Sequence, residues 1–134
     1  RRVEVLMLAS VKEQGIHLRV SGIEDTIVVD PDLIEQVLIN LMHNAIEAVK
    51  VTNRPTIHLF ASKNQKGDLC IHIVDNGEGM DEATAEKIFI PFFTTRKSGS
   101  GVGLAITKQI LQLHNADIRV HSEINKGTEF VVLL

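Results

Sequence analysis

The sequence predicts a two-layer α/β sandwich, a mixed sheet of about five main strands with three helices on one face. Two observations carry this. Two long segments, near 31–51 and 102–113, repeat apolar residues with helical spacing. Short alternating segments lie before, between and after them, separated by turn residues, an order that sets helices against one sheet. The 134 residues suit one domain, with no internal repeat, low-complexity run or linker.

Taken in order, residues 3–14 read as a short helix with Val3, Leu6, Met7, Leu8 and Val11 on its apolar side, stopped by Gly15. Residues 17–20 and 26–29 alternate as strands around a Ser21-Gly22 turn. Asp30-Pro31 is a helix start, an N-cap aspartate followed by proline in the first turn. That helix is expected to run to about Val51, with Leu33, Val37, Leu41, Ala45 and Ala48 on its buried face and Ile34 and Leu38 beside them. Asn53-Arg54-Pro55 breaks it. Segments 56–62 and 69–74 form a hairpin around the polar loop 63–68. A loop-rich stretch, 75–101, holds a short helix near 82–88. The helix 102–113 ends at His114-Asn115, where Asn115 can take the left-handed conformation. Strands 118–121 and 129–133 close the fold around Lys126-Gly127.

Composition excludes several classes. A net charge of −3 argues against general nucleic-acid binding. The single cysteine, Cys70, allows no internal disulfide and suits a reducing cytoplasm; its alternating run makes it a buried strand residue. No apolar run approaches the ~20 residues that span a bilayer, so no direct membrane contact is expected. The opening Arg1-Arg2-Val3-Glu4 has no signal-peptide features and reads as a cut inside a longer protein.

The chemistry concentrates where five of the nine glycines and three of the five phenylalanines cluster, between residues 77 and 103, and on the helix 31–51. Asn40, His43, Asn44 and Glu47 share one helical stripe. The stripe is either a solvated polar face or a ligand site, since an amide oxygen is a hard ligand suited to Mg²⁺. Asp75-Asn76-Gly77-Glu78-Gly79 follows a strand. It is either a plain turn or a carboxylate placed to accept from an exocyclic amine, with glycines admitting a flat base. Phe89-Ile90-Pro91-Phe92-Phe93 is a core plug or the base of a lid. Gly99-Ser100-Gly101-Val102-Gly103-Leu104 opens a helix and offers its N-terminus to an anion. Its spacing matches neither the dinucleotide fingerprint nor the P-loop.

In this order the four segments resemble the N, first-glycine, F and second-glycine boxes of histidine kinases. These belong to the GHKL ATPase superfamily, whose architecture is the Bergerat fold. The Gly127-Thr128-Glu129-Phe130 ending is similar to the family's Gly-Thr-x-Phe, and Pro91-Phe92-Phe93-Thr94-Thr95 is most like the nitrogen-regulation and oxygen-sensing branch. The departures are mild: His114-Asn115-Ala116 replaces His-Gly-Gly, and Ser100 and Val102 replace threonine and leucine.

The resemblance implies binding of ATP or ADP with Mg²⁺. Asn44 would ligate the ion, Asn40 would assist, and His43 would lie near the phosphates. Asp75 would read the adenine amine, with Thr128 sharing a water. Gly77 and Gly79 would shape the base pocket. Phe93 to Gly101 would form a lid, with Arg96 or Lys97 near the phosphates. Gly99, Ser100, Gly101, Val102, Gly103 and Leu104 would bring the helix N-terminus to them. Glu47 has no implied role and reads as exposed.

Hydrolytic members such as gyrase, heat-shock chaperones and mismatch-repair proteins resemble this pattern but carry glutamate where this chain has Asn40. An amide cannot act as general base at neutral pH, so transfer to another acceptor is favoured over hydrolysis. A purely regulatory nucleotide-binding module is the remaining alternative. None of the six histidines precedes a carboxylate on a helix, so the acceptor is expected on dimerisation helices of the same protein, outside residues 1–134. The resemblance implies a response-regulator receiver downstream, a monomeric isolated domain and a homodimeric parent.

Overall fold

The computed structural model describes residues 15–21, 30–93 and 102–134; the helix expected at 3–14 and the strand expected at 26–29 lie outside the described residues. In chain order the elements are β1 (His17–Ser21), α1 (Pro31–Ala48), β2 (Thr56–Lys63), β3 (Leu69–Asp75), α2 (Glu82–Lys87), α3 (Gly103–Leu113), β4 (Asp117–Glu123) and β5 (Gly127–Leu133). The five strands form one sheet in the order β1-β2-β3-β5-β4. β1 pairs parallel with β2, and every other pairing is antiparallel. This is the expected mixed sheet with three helices.

Strand alternation builds two different faces. One carries Ile57, Ile71, Ile73, Phe130, Val132 and Ile118 against Val37, Leu41, Met42 and Ala45 of α1 and Ile110 and Leu111 of α3. The opposite face is polar and aromatic. Phe60 stacks on His72 with ring centroids 4.4 Å apart, and the His72 ring lies between Ser62 Oγ (2.8 Å from Nε2) and Glu129 Oε2 (3.0 Å from Nδ1). Cys70 is buried, as its alternating run predicts.

α1 starts as expected. The Asp30 carboxylate accepts from the Asp32 and Leu33 N–H groups at 3.0 and 3.2 Å, and Pro31 opens the first turn. Its end differs: the helix stops at Ala48, not near Val51. The Ala48 carbonyl accepts from Glu78 N–H at 3.1 Å, so a neighbouring loop caps the last turn. Val49 then plugs the core, while Val51 is 86% exposed. The buried stripe is also rotated. Ile34, Met42 and Ile46 are inside with Val37, Leu41, Ala45 and Ala48, whereas Leu33 is exposed.

α3 begins one residue later than expected, with Val102 at its N-cap. It ends in a Schellman motif. Asn115 has φ +54°, its N–H reaches Gln112 O at 3.1 Å, and Ala116 N–H reaches Leu111 O at 2.8 Å. Among the described residues no helix is long and apolar enough to cross a membrane.

Candidate functional site

α1 and α3 pack antiparallel and are tied at two points. Where α1 begins and α3 ends, Asp30 N–H donates to His114 Nε2 at 3.1 Å. Near the middle of α1, the Asn40 amide nitrogen donates to Gly103 O and to Thr107 Oγ1, both at 3.2 Å. Thr107 Oγ1 in turn donates to Gly103 O at 2.9 Å. α3 therefore starts beside Asn40. Asn44 lies one turn farther along α1, about 6 Å, on the same stripe and beyond the start of α3. The N-cap of α3 is Val102, whose apolar side chain accepts from none of the first-turn N–H groups.

The polar stripe of α1 divides by partner. The Asn40 oxygen accepts from Gln36 Nε2 at 2.9 Å, so both ends of this amide are engaged. Asn40 is a strut between the helices through its amide nitrogen, while its oxygen takes one bond, from Gln36. Asn44 is half-buried, and its amide has no hydrogen-bond partner among the described residues. His43 is exposed and likewise unpartnered among them. Glu47, read from sequence as exposed, is only partly so and pairs with Lys50 at 2.8 Å.

The second cluster closes one end of the sheet. Asp75, at the end of β3, is 4% exposed, and its Oδ1 accepts from Gly77 N–H at 2.9 Å. Directly across the ladder lies Thr128, 6% exposed, and beyond it Ser122. Ser122 Oγ lies 2.7 Å from Thr128 Oγ1 and accepts from Met80 N–H at 2.8 Å. The row Asp75–Thr128–Ser122 continues the face that carries Ile73, Phe130 and Val120, so it lies on the helix side. Ser122 was not anticipated. The strand was expected to stop at His121, and the pairing of Ser122 with Thr128 across the β4–β5 turn was the signal that would have found it.

The glycines separate by cause. A Cβ on Gly77 would meet Ala48 O at 2.3 Å. Gly79, at φ +68°, would meet Glu123 O at 2.0 Å. The fold itself therefore requires both, because their loop is wedged between the end of α1 and the β4–β5 turn. The close approach that their sequence positions imply is thus met by the chain's own backbone. Gly103 is different: a Cβ there would find only Asn40 Cγ at 4.0 Å, an ordinary contact. Among the described residues nothing demands glycine at the start of α3.

Phe89 and Phe93 pack against the core together with Leu104 and Met80, and Lys108 Nζ lies 5.1 Å from the Phe89 ring centroid. Phe92 points outward, 77% exposed at φ +67°. The F segment is therefore a core plug through two of its rings. Arg96, Lys97, Gly99, Ser100 and Gly101, and with them all but the first residue of the expected lid, lie outside the described residues. A cleft of about 280 Å³ opens at the Asp75 end of the sheet, lined by Asp75, Ser122 and Thr128 together with Val74, His121 and Glu129. No residue of α1 or α3 lines it.

The histidine kinase-, DNA gyrase B- and HSP90-like ATPase family matches residues 29–134. The chain belongs to this family. The signal transduction histidine-protein kinase AtoS of Escherichia coli is 36% identical over 133 residues, which are 95% of this chain and 22% of AtoS. Sporulation kinase D of Bacillus subtilis is 35% identical over 103 residues, 77% of this chain and 20% of that kinase. The chain thus spans about a fifth of these relatives. Among solved structures, the nucleotide-free catalytic domain of histidine kinase ThkA superposes with a TM-score of 0.86 at 29% identity, covering 100% of this chain and 88% of that one. Full-length ShkA in complex with AMPPNP gives 0.87 at 27% identity, covering 99% and 28%.

Proposed function

We propose that this chain is the catalytic, ATP-binding domain of a sensor histidine kinase, which binds Mg²⁺-ATP and directs its γ-phosphate to a histidine on dimerisation helices of the same protein. The observation that carries the reading is the half-buried Asn44 amide, without a hydrogen-bond partner among the described residues, one turn along α1 from Asn40, which holds the start of α3. A hard oxygen ligand and the N-terminus of a helix suit a divalent ion and a triphosphate. Among the described residues no cluster of three His, Cys, Asp or Glu could hold a metal ion. Mg²⁺ keeps several waters and needs few protein ligands, so a single amide oxygen suits it. Support also comes from AtoS, which is named a histidine-protein kinase, and from ShkA, which was solved with an ATP analogue.

Each residue then has a task. Asn44 holds the Mg²⁺, which when bound neutralises phosphate charge. Asp75 accepts from the adenine amine, and Thr128 shares a water with it. Gly103 leaves the N-terminus of α3 open to the phosphates, with Val102 and Leu104 setting its first turn. His43, Phe93, Arg96, Lys97, Gly99, Ser100 and Gly101 complete the phosphate side as the family's boxes imply. Asn40 holds α3 in place. It occupies the position where hydrolytic relatives carry glutamate, and an amide cannot activate a water. In the transfer, an imidazole nitrogen bonds to the γ-phosphorus, the bond to the bridging oxygen breaks, and ADP leaves. A response-regulator receiver is the downstream partner. The compartment is the cytoplasm, which supplies ATP and keeps a lone cysteine reduced.

Calorimetry with Mg²⁺-ATP tests the core of this reading. Asn44→Ala is expected to remove most of the Mg²⁺-dependent part of the affinity and to spare the Mg²⁺-independent part. Unchanged Mg²⁺ dependence would take Asn44 out of the metal shell.

A further inference from the structure

We infer that Thr107 is a positioning residue for phosphoryl transfer, acting through Asn40 on the first turn of α3. The inference rests on the nucleotide reading above and extends it to a residue outside the four boxes. Only three buried side chains among the described residues are polar: Asp75, Thr128 and Thr107. The first two line the adenine end of the site. The third, 0% exposed, sits on a helix face otherwise made of Ile110 and Leu111. Packing alone would be served as well by valine, which has the same shape and no hydroxyl to desolvate.

The hydroxyl is instead used twice. It donates to Gly103 O at 2.9 Å, a bond within its own helix. It also accepts from Asn40 Nδ2 at 3.2 Å, a bond to the other helix. Asn40 reaches Gly103 O as well, so the carbonyl of the first residue of α3 is held from both sides. Gln36 fixes the orientation of the Asn40 amide by donating to its oxygen. The knot Gln36–Asn40–Thr107–Gly103 thus ties the lateral position of the α3 N-terminus to α1. Asn44 rides on the same helix one turn away. The knot therefore sets the spacing between the metal-holding amide and the N–H groups that face the phosphates. Adenine recognition at Asp75 does not pass through it.

Loosening this knot is expected to affect turnover more than binding. In the full-length parent kinase, Thr107→Val should lower kcat for phosphoryl transfer about tenfold or more, with KM for ATP within about threefold of wild type. Thr107→Ser, which restores the hydroxyl, should bring kcat back to within about threefold. A role in stability alone would shift the unfolding midpoint without this split and without rescue. Wild-type kcat in a folded Thr107→Val protein, or failure of serine to rescue, would overturn the inference. If Thr107→Val does not fold, Gln36→Met, at an exposed position, should lower kcat in the same direction, and an unchanged kcat there would overturn it equally. Failure of the wild-type protein to bind ATP or to transfer phosphate would reject the functional reading itself and would be seen before any variant is compared.

Discussion

Asp30 and His114 stand 84 positions apart in sequence, yet the N–H of one donates to the Nε2 of the other at 3.1 Å. The ring is fixed for this role, because its Nδ1–H donates to Ile110 O at 2.8 Å. The end of α3 is thereby fastened to the start of α1 through a neutral imidazole. Replacing His114 with alanine removes both bonds and should cost about 1–2 kcal/mol of stability in urea unfolding. An unchanged midpoint would show that the two helix ends need no such link.

Two glycines should respond in opposite ways. Gly79→Ala places a Cβ on the Glu123 carbonyl at a left-handed φ and should destabilise the domain by several kcal/mol, on the order of 2–4. Gly103→Ala meets no obstacle among the described residues and should leave the unfolding midpoint unchanged or slightly higher, since alanine suits a helix better. The same variant should weaken nucleotide binding, because the added methyl stands at the open helix start. Equal effects on stability at both positions would contradict the separation of fold glycine from site glycine.

Asp75 is buried, with one oxygen on Gly77 N–H, and the proposed function gives its carboxylate the adenine amine. Removing a charged hydrogen-bond acceptor from such a site costs roughly 1.5–3 kcal/mol. Asp75→Ala should therefore bind ATP at least about tenfold more weakly and discriminate less against GTP. Retained preference for ATP over GTP, measured by competition, would assign base recognition elsewhere.

On the polar face of the sheet, burial, and after it the nearby Arg19 guanidinium, hold the pKa of His58 below its ordinary value of 6.5. The unfolded chain then binds the proton more readily than the folded one. The resulting stability is fully present above pH 6.5 and is lost as pH falls through the lower folded value. Between about pH 7.5 and 5.5 the urea midpoint of wild type should fall more steeply than that of His58→Gln. Parallel curves would contradict this.

Much of the fold was legible because the signals were local. Asp30-Pro31 starts α1, and Asn115 ends α3 in the left-handed conformation, as their chemistry dictates. The end of α1 was not legible. Ala48 is capped by Glu78, a partner 30 residues away, while the residues after it still suit a helix. The same limit hid Ser122, whose meaning comes from strand register, and Thr107, whose partner lies on another helix. It also explains the reading of Gly77 and Gly79. A glycine in a loop announces close approach, but the sequence does not say whether a ligand or the chain's own backbone approaches.

On the proposed function, this domain carries ATP to a histidine outside residues 1–134. The most direct measurement uses γ-labelled ATP with the domain alone, then with a dimeric helical hairpin from the parent protein, then with that hairpin's histidine replaced. Expected are no label on the domain, and acid-labile, base-stable label on the hairpin that disappears with its histidine. Steady phosphate release by the domain alone, abolished by Asn44→Ala and without transfer to the hairpin, would contradict it and place the chain with the hydrolytic members of its family.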